Sequence, residues 1–290
     1  MVTPLSLLAA CHSQELGIRQ EPVYLVQNPD GSGTPTDDTT TDPTDPTDPT
    51  DPTDPTDPTD PTDTGTGGTT TTITTTGEPP IGVDVSHWQG DIDWNAVVDD
   101  GIGFAIMKAT EGTYYTDDLF GANYDGSYDV GLVRGAYHFG IPDDSSGAEQ
   151  ADYFVDNGGG WSGDGQTLPG TLDIEWNPYW SDSCYGLSQN EMEDWIADFL
   201  DQYYVRTGRD AMIYTAASWW SQCVDATSFG DVPLWIANWE VTSPTLAVGW
   251  SDYTFWQTSA YGSVNGIGGD VDMDTFNGSP DELYHFALAP

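Results

Sequence analysis

The sequence predicts an α/β protein: an irregular, TIM-like barrel of the β/α type preceded by a disordered linker. Three observations carry that expectation. A polar N-terminal segment gives way at Ile81 to a stretch rich in Trp, Tyr, Phe and Ile. Within that stretch, short apolar runs with strand character alternate with amphipathic helical runs. Eight strands are discernible, with helical periodicity concentrated in the first half, which predicts a barrel that becomes irregular in its last third.

Three regions follow in order: an N-terminal tail over residues 1–27, a linker over 28–80 and a globular domain over 81–290. In the tail, Leu8-Ala9-Ala10-Cys11 resembles the end of a bacterial lipoprotein signal, in which the cysteine becomes lipidated. No Lys or Arg precedes the apolar run and the run is short for a signal; a start codon further upstream would account for both. The plain alternative is a chance tetrapeptide in an unstructured tail. The linker is almost entirely Thr, Asp, Pro and Gly, and cannot bury enough apolar area to offset its ordering entropy. From Thr41 to Pro61 the triplet Thr-Asp-Pro repeats seven times. Proline at every third position favours an extended polyproline II spacer, and at about 3.1 Å per residue the run reaches on the order of 70 Å.

In the globular domain the expected strands are 82–86, 104–110, 133–139, 170–175, 211–215, 234–238, 254–257 and 271–274. The clearest helix runs from Ser188 to Thr207. Ser188 and Glu191 form a capping box, Met192, Trp195, Ile196, Phe199 and Tyr203 repeat at helical spacing, and Gly208 supplies the stop. Weaker helices are expected at 94–99, 117–130 and 147–157. Cys184 and Cys223 lie in Ser-rich stretches that read as loops, and in an exported protein they are expected to pair as a disulfide.

Charge excludes several function classes. The chain carries 48 acids against 5 bases, a net charge of −43. The globular part alone holds 34 acids and 4 bases, a charge of −30. Such a field repels phosphate backbones and anionic membrane surfaces, so nucleic acid is not an expected partner. No stretch approaches the roughly 20 apolar residues that span a bilayer, so membrane contact is expected only through a lipid on Cys11. His87, His138 and His285 lack metal-ligand spacing. Asp270, Asp272 and Asp274 invite a calcium reading, but an EF-hand loop needs Gly where Thr275 stands and Glu where Asp281 stands. No metal, no cofactor and a monomeric chain are expected.

Acids that interrupt apolar strands are the candidate chemistry. Asp84 breaks the run Gly82–Ser86, and Asp173 and Glu175 alternate with Leu172, Ile174 and Trp176. Residues two apart on a strand share a face, with Cα atoms about 6.5–7 Å apart. Two carboxylates on one buried face repel, so one retains its proton near neutrality. A proton donor beside an anion is what cleavage of a glycosidic bond requires. Asp272 is a further acid on a late strand. Trp88, Tyr137, Tyr214, Trp235, Trp239 and Trp256 lie in or beside strands and are candidate sugar-stacking residues.

Eight motifs together resemble the family 25 glycoside hydrolases, the muramidase lysozymes. They are Ile81-Gly-Val-Asp-Val-Ser-His-Trp-Gln-Gly90, Phe104-Ala-Ile-Met-Lys-Ala-Thr-Glu-Gly112, Gly135-Ala-Tyr-His-Phe139, Leu172-Asp-Ile-Glu175, Ile213-Tyr-Thr215, Pro233-Leu-Trp-Ile-Ala-Asn-Trp239, Phe255-Trp-Gln257 and Val271-Asp-Met-Asp274. The resemblance implies a (β/α)5β3 barrel and hydrolysis of the β-1,4 bond between N-acetylmuramic acid and N-acetylglucosamine in peptidoglycan. It implies Glu175 as general acid/base. It also implies Asp173 as stabiliser of positive charge, acting on a substrate-derived oxazolinium or as a direct nucleophile, with Asp84 and Asp272 completing the acidic site. Tyr137 and Tyr214 match aromatic positions near the cleaved sugar. The disulfide Cys184–Cys223 falls where some members carry one. Asp274 is a departure, since many members have Asn there, and it is expected to add a negative charge. Two rival readings are a glycan-binding surface protein that does not cut and a chitin-directed hydrolase. An exported enzyme, lipid-anchored or secreted to the cell surface, is the expected setting.

Overall fold

Alternating short strands and helices build the ring that the sequence predicts. The computed structural model describes residues 77–289, so Cys11 and the Thr-Asp-Pro run lie outside it. The strands are β1 (Ile81–Val85), β2 (Phe104–Glu111), β3 (Tyr115–Thr116), β4 (Val133–Phe139), β5 (Thr171–Asp173), β6 (Met212–Ala216), β7 (Leu234–Ala237), β8 (Phe255–Gly262) and β9 (Val271–Phe276). The helices are α1 (Trp94–Asp99), α2 (Phe120–Asp129), α3 (Gly147–Phe154), α4 (Gln189–Thr207), α5 (Ala217–Cys223) and α6 (Pro280–Leu288).

The sheet order is β1-β9-β8-β7-β6-β5-β4-β2, and β1 also pairs with β2, so eight strands close into a barrel; β3 hangs on the end of β2 as a hairpin. From β1 through β8 every barrel pairing is parallel, whereas β9 runs antiparallel to both β8 and β1. Helices α1 to α5 follow the first five barrel strands, and β7, β8 and β9 follow one another without helices. This is the (β/α)5β3 arrangement.

Alternation along each strand sorts side chains between two layers. Phe104, Ile106, Met212, Tyr214, Trp235 and Phe255 fill the barrel interior, and α6 closes its floor with Leu283 and Ala287. On the outside, Leu172, Ile174 and Ile213 pack under α3, α4 and α5, which contribute Phe154, Ile196, Phe199 and Trp220. A second outer cluster joins Val83, Val85 and Met107 to Trp94 and Val97 of α1. Helix α4 is capped as its sequence predicts: Ser188 and Glu191 form the reciprocal box, and Gly208 adopts the left-handed conformation at φ 72°.

Several expectations need correction. Strand β5 ends at Asp173 rather than Glu175, although Ile174 N–H still donates to the Tyr214 carbonyl at 3.0 Å and prolongs the ladder. Strand β8 continues to Gly262, beyond the expected end at Gln257. Cys223 ends helix α5 rather than lying in a loop. Helices α5 and α6 and the β3 hairpin were not expected from the residue pattern. Helix α5 has seven residues and no side-chain cap, and is held by burial of Trp219, Trp220 and Cys223, so no local signal marks it. Helix α6 does carry one: Ser279 and Glu282 form a capping box, and Pro280 sits in the first turn.

Candidate active site

Parallel strands bring their C-terminal ends to one rim, the mouth of the barrel. Asp84 lies on β1, Lys108 and Glu111 on the last turn of pleat of β2, Asp173 at the end of β5 and Glu175 just beyond it. Because β9 is antiparallel, its beginning rather than its end reaches the same rim, and Asp272 stands opposite Asp84 in register. Asp274 follows on the same face, opposite Gly82. Asp84, Asp173, Glu175 and Asp274 are buried to 2%, 1%, 2% and 1% residual exposure, respectively. Strands β1, β5 and β9 therefore deliver five carboxyls to one end of the barrel, and β2 adds a sixth, Glu111.

Hydrogen bonds organise one side of this cluster. Gln257 Nε2 donates to Asp84 Oδ2 at 2.7 Å. The amide cannot be turned round, because its Oε1 accepts from Tyr214 OH at 3.0 Å and from Trp239 Nε1 at 2.9 Å. Trp235 Nε1 donates to Asp274 Oδ1 at 2.8 Å. On the other side, Lys108 Nζ pairs with Glu111 Oε2 at 2.7 Å, and Glu111 also accepts from the hydroxyls of Tyr114 and Tyr179. By contrast, neither oxygen of Asp173 nor Oε1 of Glu175 receives a hydrogen bond from the described residues. Buried oxygens without protein donors are costly and are retained where a reacting group supplies the partner.

Burial and mutual repulsion raise the proton affinity of the whole cluster. Burial pushes Asp84 up to about 7, against the opposing hydrogen bonds of Gln257 and Asp274. Burial, then the charge of Asp84, carries Glu175 up to about 8, with Lys108 opposing. Asp173 is raised well above the usual carboxylate range by burial and then by Glu175, again opposed by Lys108. Asp272 is raised by burial, then by Asp84 and Glu175. Glu111 behaves oppositely: burial would raise it, but Lys108 and the two tyrosine hydroxyls hold it below its ordinary value. The site therefore retains a proton near neutral pH within the Asp173–Glu175 pair, and holds an anion at Glu111.

The expected aromatic residues separate into groups. Tyr214 and Trp239 bind Gln257, and Trp235 binds Asp274, so these three brace the acids. Tyr137 is buried in the interior with its ring 6.4 Å from that of Trp235. Trp256 is not brought to the site: it faces outward on β8, half-buried, with Nε1 on the Asn238 carbonyl at 2.8 Å. Trp235 is 1% exposed and offers no free ring face to a ligand. Trp88 is exposed on a mouth-side loop, as are Tyr114, Tyr179 and Trp180, which the residue pattern did not single out. Residue reasoning also passed over Lys108 and Gln257. A lysine inside an apolar strand, in a domain with four bases, was the available signal; nothing local marked the glutamine. Cys184 and Cys223 are bonded, which ties the loop after Glu175 to α5. His138 is not part of the site. It is wholly buried under α3, donates from Nε2 to Gln150 Oε1 and accepts at Nδ1 from Thr110, and burial depresses it to about 4.

Residues 83–267 match the family described as Glycosyl hydrolases family 25. The chain is 53% identical over 208 residues to Lysozyme M1 of Streptomyces globisporus, a match spanning 71% of this chain and 70% of that protein. It is 43% identical over 208 residues to the N,O-diacetylmuramidase of Arthroderma benhamiae, covering 71% of this chain and 86% of that one. Among solved structures, the bacterial lysozyme from Streptomyces coelicolor superposes with a TM-score of 0.71 at 52% identity, over 73% of this chain and 98% of that chain. With the barrel, the inward acids and these likenesses in hand, the chain belongs to glycosyl hydrolase family 25.

Proposed function

We propose that this enzyme is a muramidase that hydrolyses the β-1,4 bond between N-acetylmuramic acid and N-acetylglucosamine in peptidoglycan. The observation that carries the reading is the pair Asp173 and Glu175, buried on one inward face, with both oxygens of Asp173 and Oε1 of Glu175 lacking protein donors and with raised proton affinity. Glu175 lies beyond the strand end, nearer the mouth, and is the general acid: it protonates the leaving oxygen as the glycosidic bond breaks. Asp173, one step deeper, stabilises the cationic intermediate that forms at the sugar. Glu175, now an anion, then takes a proton from the attacking water. Lys108 favours the anionic form of both carboxyls and so assists this second half. Asp84 and Asp272 complete the acidic surround.

Glycan strands are gripped by the exposed rings of the mouth-side loops rather than by the buried tryptophans. Trp180 is 72% exposed and Tyr114 is 58% exposed, and such rings stack on the C–H faces of sugars. The setting is extracellular, and a lipid on Cys11 followed by the Thr-Asp-Pro spacer would hold the enzyme near a membrane. A Cys11→Ser change that leaves detergent-phase partitioning of the full chain untouched would remove the anchor from this account.

Mass analysis of products from defined peptidoglycan tests the bond. Fragments with a reducing N-acetylmuramic acid end are expected. Reducing N-acetylglucosamine ends, oligomers released from chitin alone, or tight glycan binding without cleavage would replace the proposal with another hydrolase or with a binding protein.

A further inference from the structure

The sequence suggests that Asp274 adds a charge to the site; the geometry points to the opposite. We propose that Asp274 holds a proton and donates it to Asp84, so that the two buried carboxyls form a singly charged pair, with Asp274 a positioning residue that acts through Asp84.

Antiparallel pairing of β9 with β1 sets Asp272 opposite Asp84 and Asp274 opposite Gly82, so Asp274 and Asp84 are diagonal neighbours facing inward. Their side chains are within hydrogen-bonding reach of each other. Two carboxylates are acceptors only, so a hydrogen bond between them requires a proton on one. The other donors decide which. Asp84 Oδ2 already receives the Gln257 amide N–H, whose direction is locked by Tyr214 and Trp239, and this favours an anion at Asp84. Asp274 accepts the Trp235 indole N–H on Oδ1, while its buried Oδ2 receives no N–H or O–H from the described residues and is the place for the proton. The surroundings exclude a second anion. Asp272 shares the face on β9 and its charge acts on Asp274; Asp173 and Glu175 stand at the same rim, and Lys108 on β2, which favours their anions, is itself engaged by Glu111. Among the described residues, the hydrogen bonds that reach the pair and its Gln257 partner from β6, β7 and β8 come from the neutral Tyr214, Trp235 and Gln257. Burying adjacent carboxylates in such company is unfavourable unless one is neutralised.

A protonated aspartic acid has nearly the shape of asparagine, and both donate. Asp274→Asn should therefore reproduce the arrangement, whereas Asp274→Leu leaves Asp84 without that donor and Trp235 without an acceptor. With peptidoglycan at mildly acidic pH, Asp274→Leu is expected to lower kcat by more than about tenfold with little change in KM, and Asp274→Asn to recover most of that loss. In Asp274→Asn, the alkaline limb of the pH–rate curve should lose one ionisation. The direct readout is carbon NMR of the wild-type chain with labelled aspartate carboxyls, in which the Asp274 resonance, assigned by its loss in Asp274→Asn, should be that of a protonated acid at pH 6. An ionised Asp274 at that pH, or an asparagine variant as impaired as the leucine one, overturns the proposal. If neither variant folds, the count of protonated aspartates in the wild type decides, and a count of zero overturns it. The kinetic arm rests on the muramidase reading and the NMR arm does not. A wild-type chain that fails to cut peptidoglycan but shows the protonated aspartate would sink the former alone.

Discussion

At the scale of single residues, the site divides labour by whether a carboxyl is given hydrogen-bond donors. Glu111 receives them from Lys108, Tyr114 and Tyr179 and holds charge; both oxygens of Asp173 and Oε1 of Glu175 receive none, and burial and mutual repulsion keep a proton on that pair. Glu175→Gln keeps the shape but removes the transferable proton, and should lower kcat by about 10²–10⁴-fold, the usual worth of general acid–base catalysis. Turbidity loss at the wild-type rate would refute the assignment. Lys108→Met has two separable effects. It removes the charge that lowers Glu175 and Asp173, so the alkaline limb of the pH–rate curve should move upward. It also strands the buried Glu111, which should cost about 3–5 kcal/mol of stability. A limb that moves downward would contradict the electrostatic reading. The acids were legible in the sequence because a charged residue is conspicuous inside an apolar strand. Gln257 was not, since its importance comes from three partners brought together from β1, β6 and the segment after β7, and no short-range pattern encodes that.

Among the elements, those with their own start and stop signals were the ones a sequence could disclose. Helix α4 has a cap, a stripe and a glycine stop, and was predicted nearly to the residue. Helix α5 has no such signals and exists because two tryptophans and a disulfide hold it. The same bond fixes the far end of the loop that starts at Glu175 and carries Tyr179 and Trp180. With its cysteines 39 positions apart in sequence, its removal should cost about 4 kcal/mol by loop entropy. A double Cys184→Ser, Cys223→Ser variant is therefore expected to melt several degrees lower, which calorimetry would show, and to lose affinity for glycan more than kcat. An unchanged KM would mean that the loop keeps its place without the bond.

For the whole molecule, the raised carboxyls dictate how stability responds to pH. Each binds its proton more tightly in the folded state than in the unfolded chain. Between the ordinary carboxylate value of about 4 and the folded values of about 7 for Asp84 and about 8 for Glu175, the native state keeps protons that the unfolded state has released. Stability therefore falls as pH rises through this window and is fully present below it. Thermal unfolding should occur at higher temperature near pH 5 than near pH 8, and the reverse order would refute the buried-proton account. The domain charge of −30 acts in the same direction by self-repulsion. It also opposes approach to an anionic wall, so activity is expected to rise from low to physiological ionic strength as repulsion is screened. A rate that only declines over that range would show that the acidic surface does not govern encounter.

The barrel has two poles, and the chain uses them differently. The Pro80 carbonyl accepts the Phe276 N–H at 3.0 Å, so the backbone enters β1 and leaves β9 side by side at the end that α6 closes. Whatever is joined to the domain ahead of Pro80, whether a natural tail or an engineered support, attaches behind the catalyst. A protein immobilised by that side presents its cleft outward, like a tool held by its handle, and need not release its hold to reach a strand in front of it.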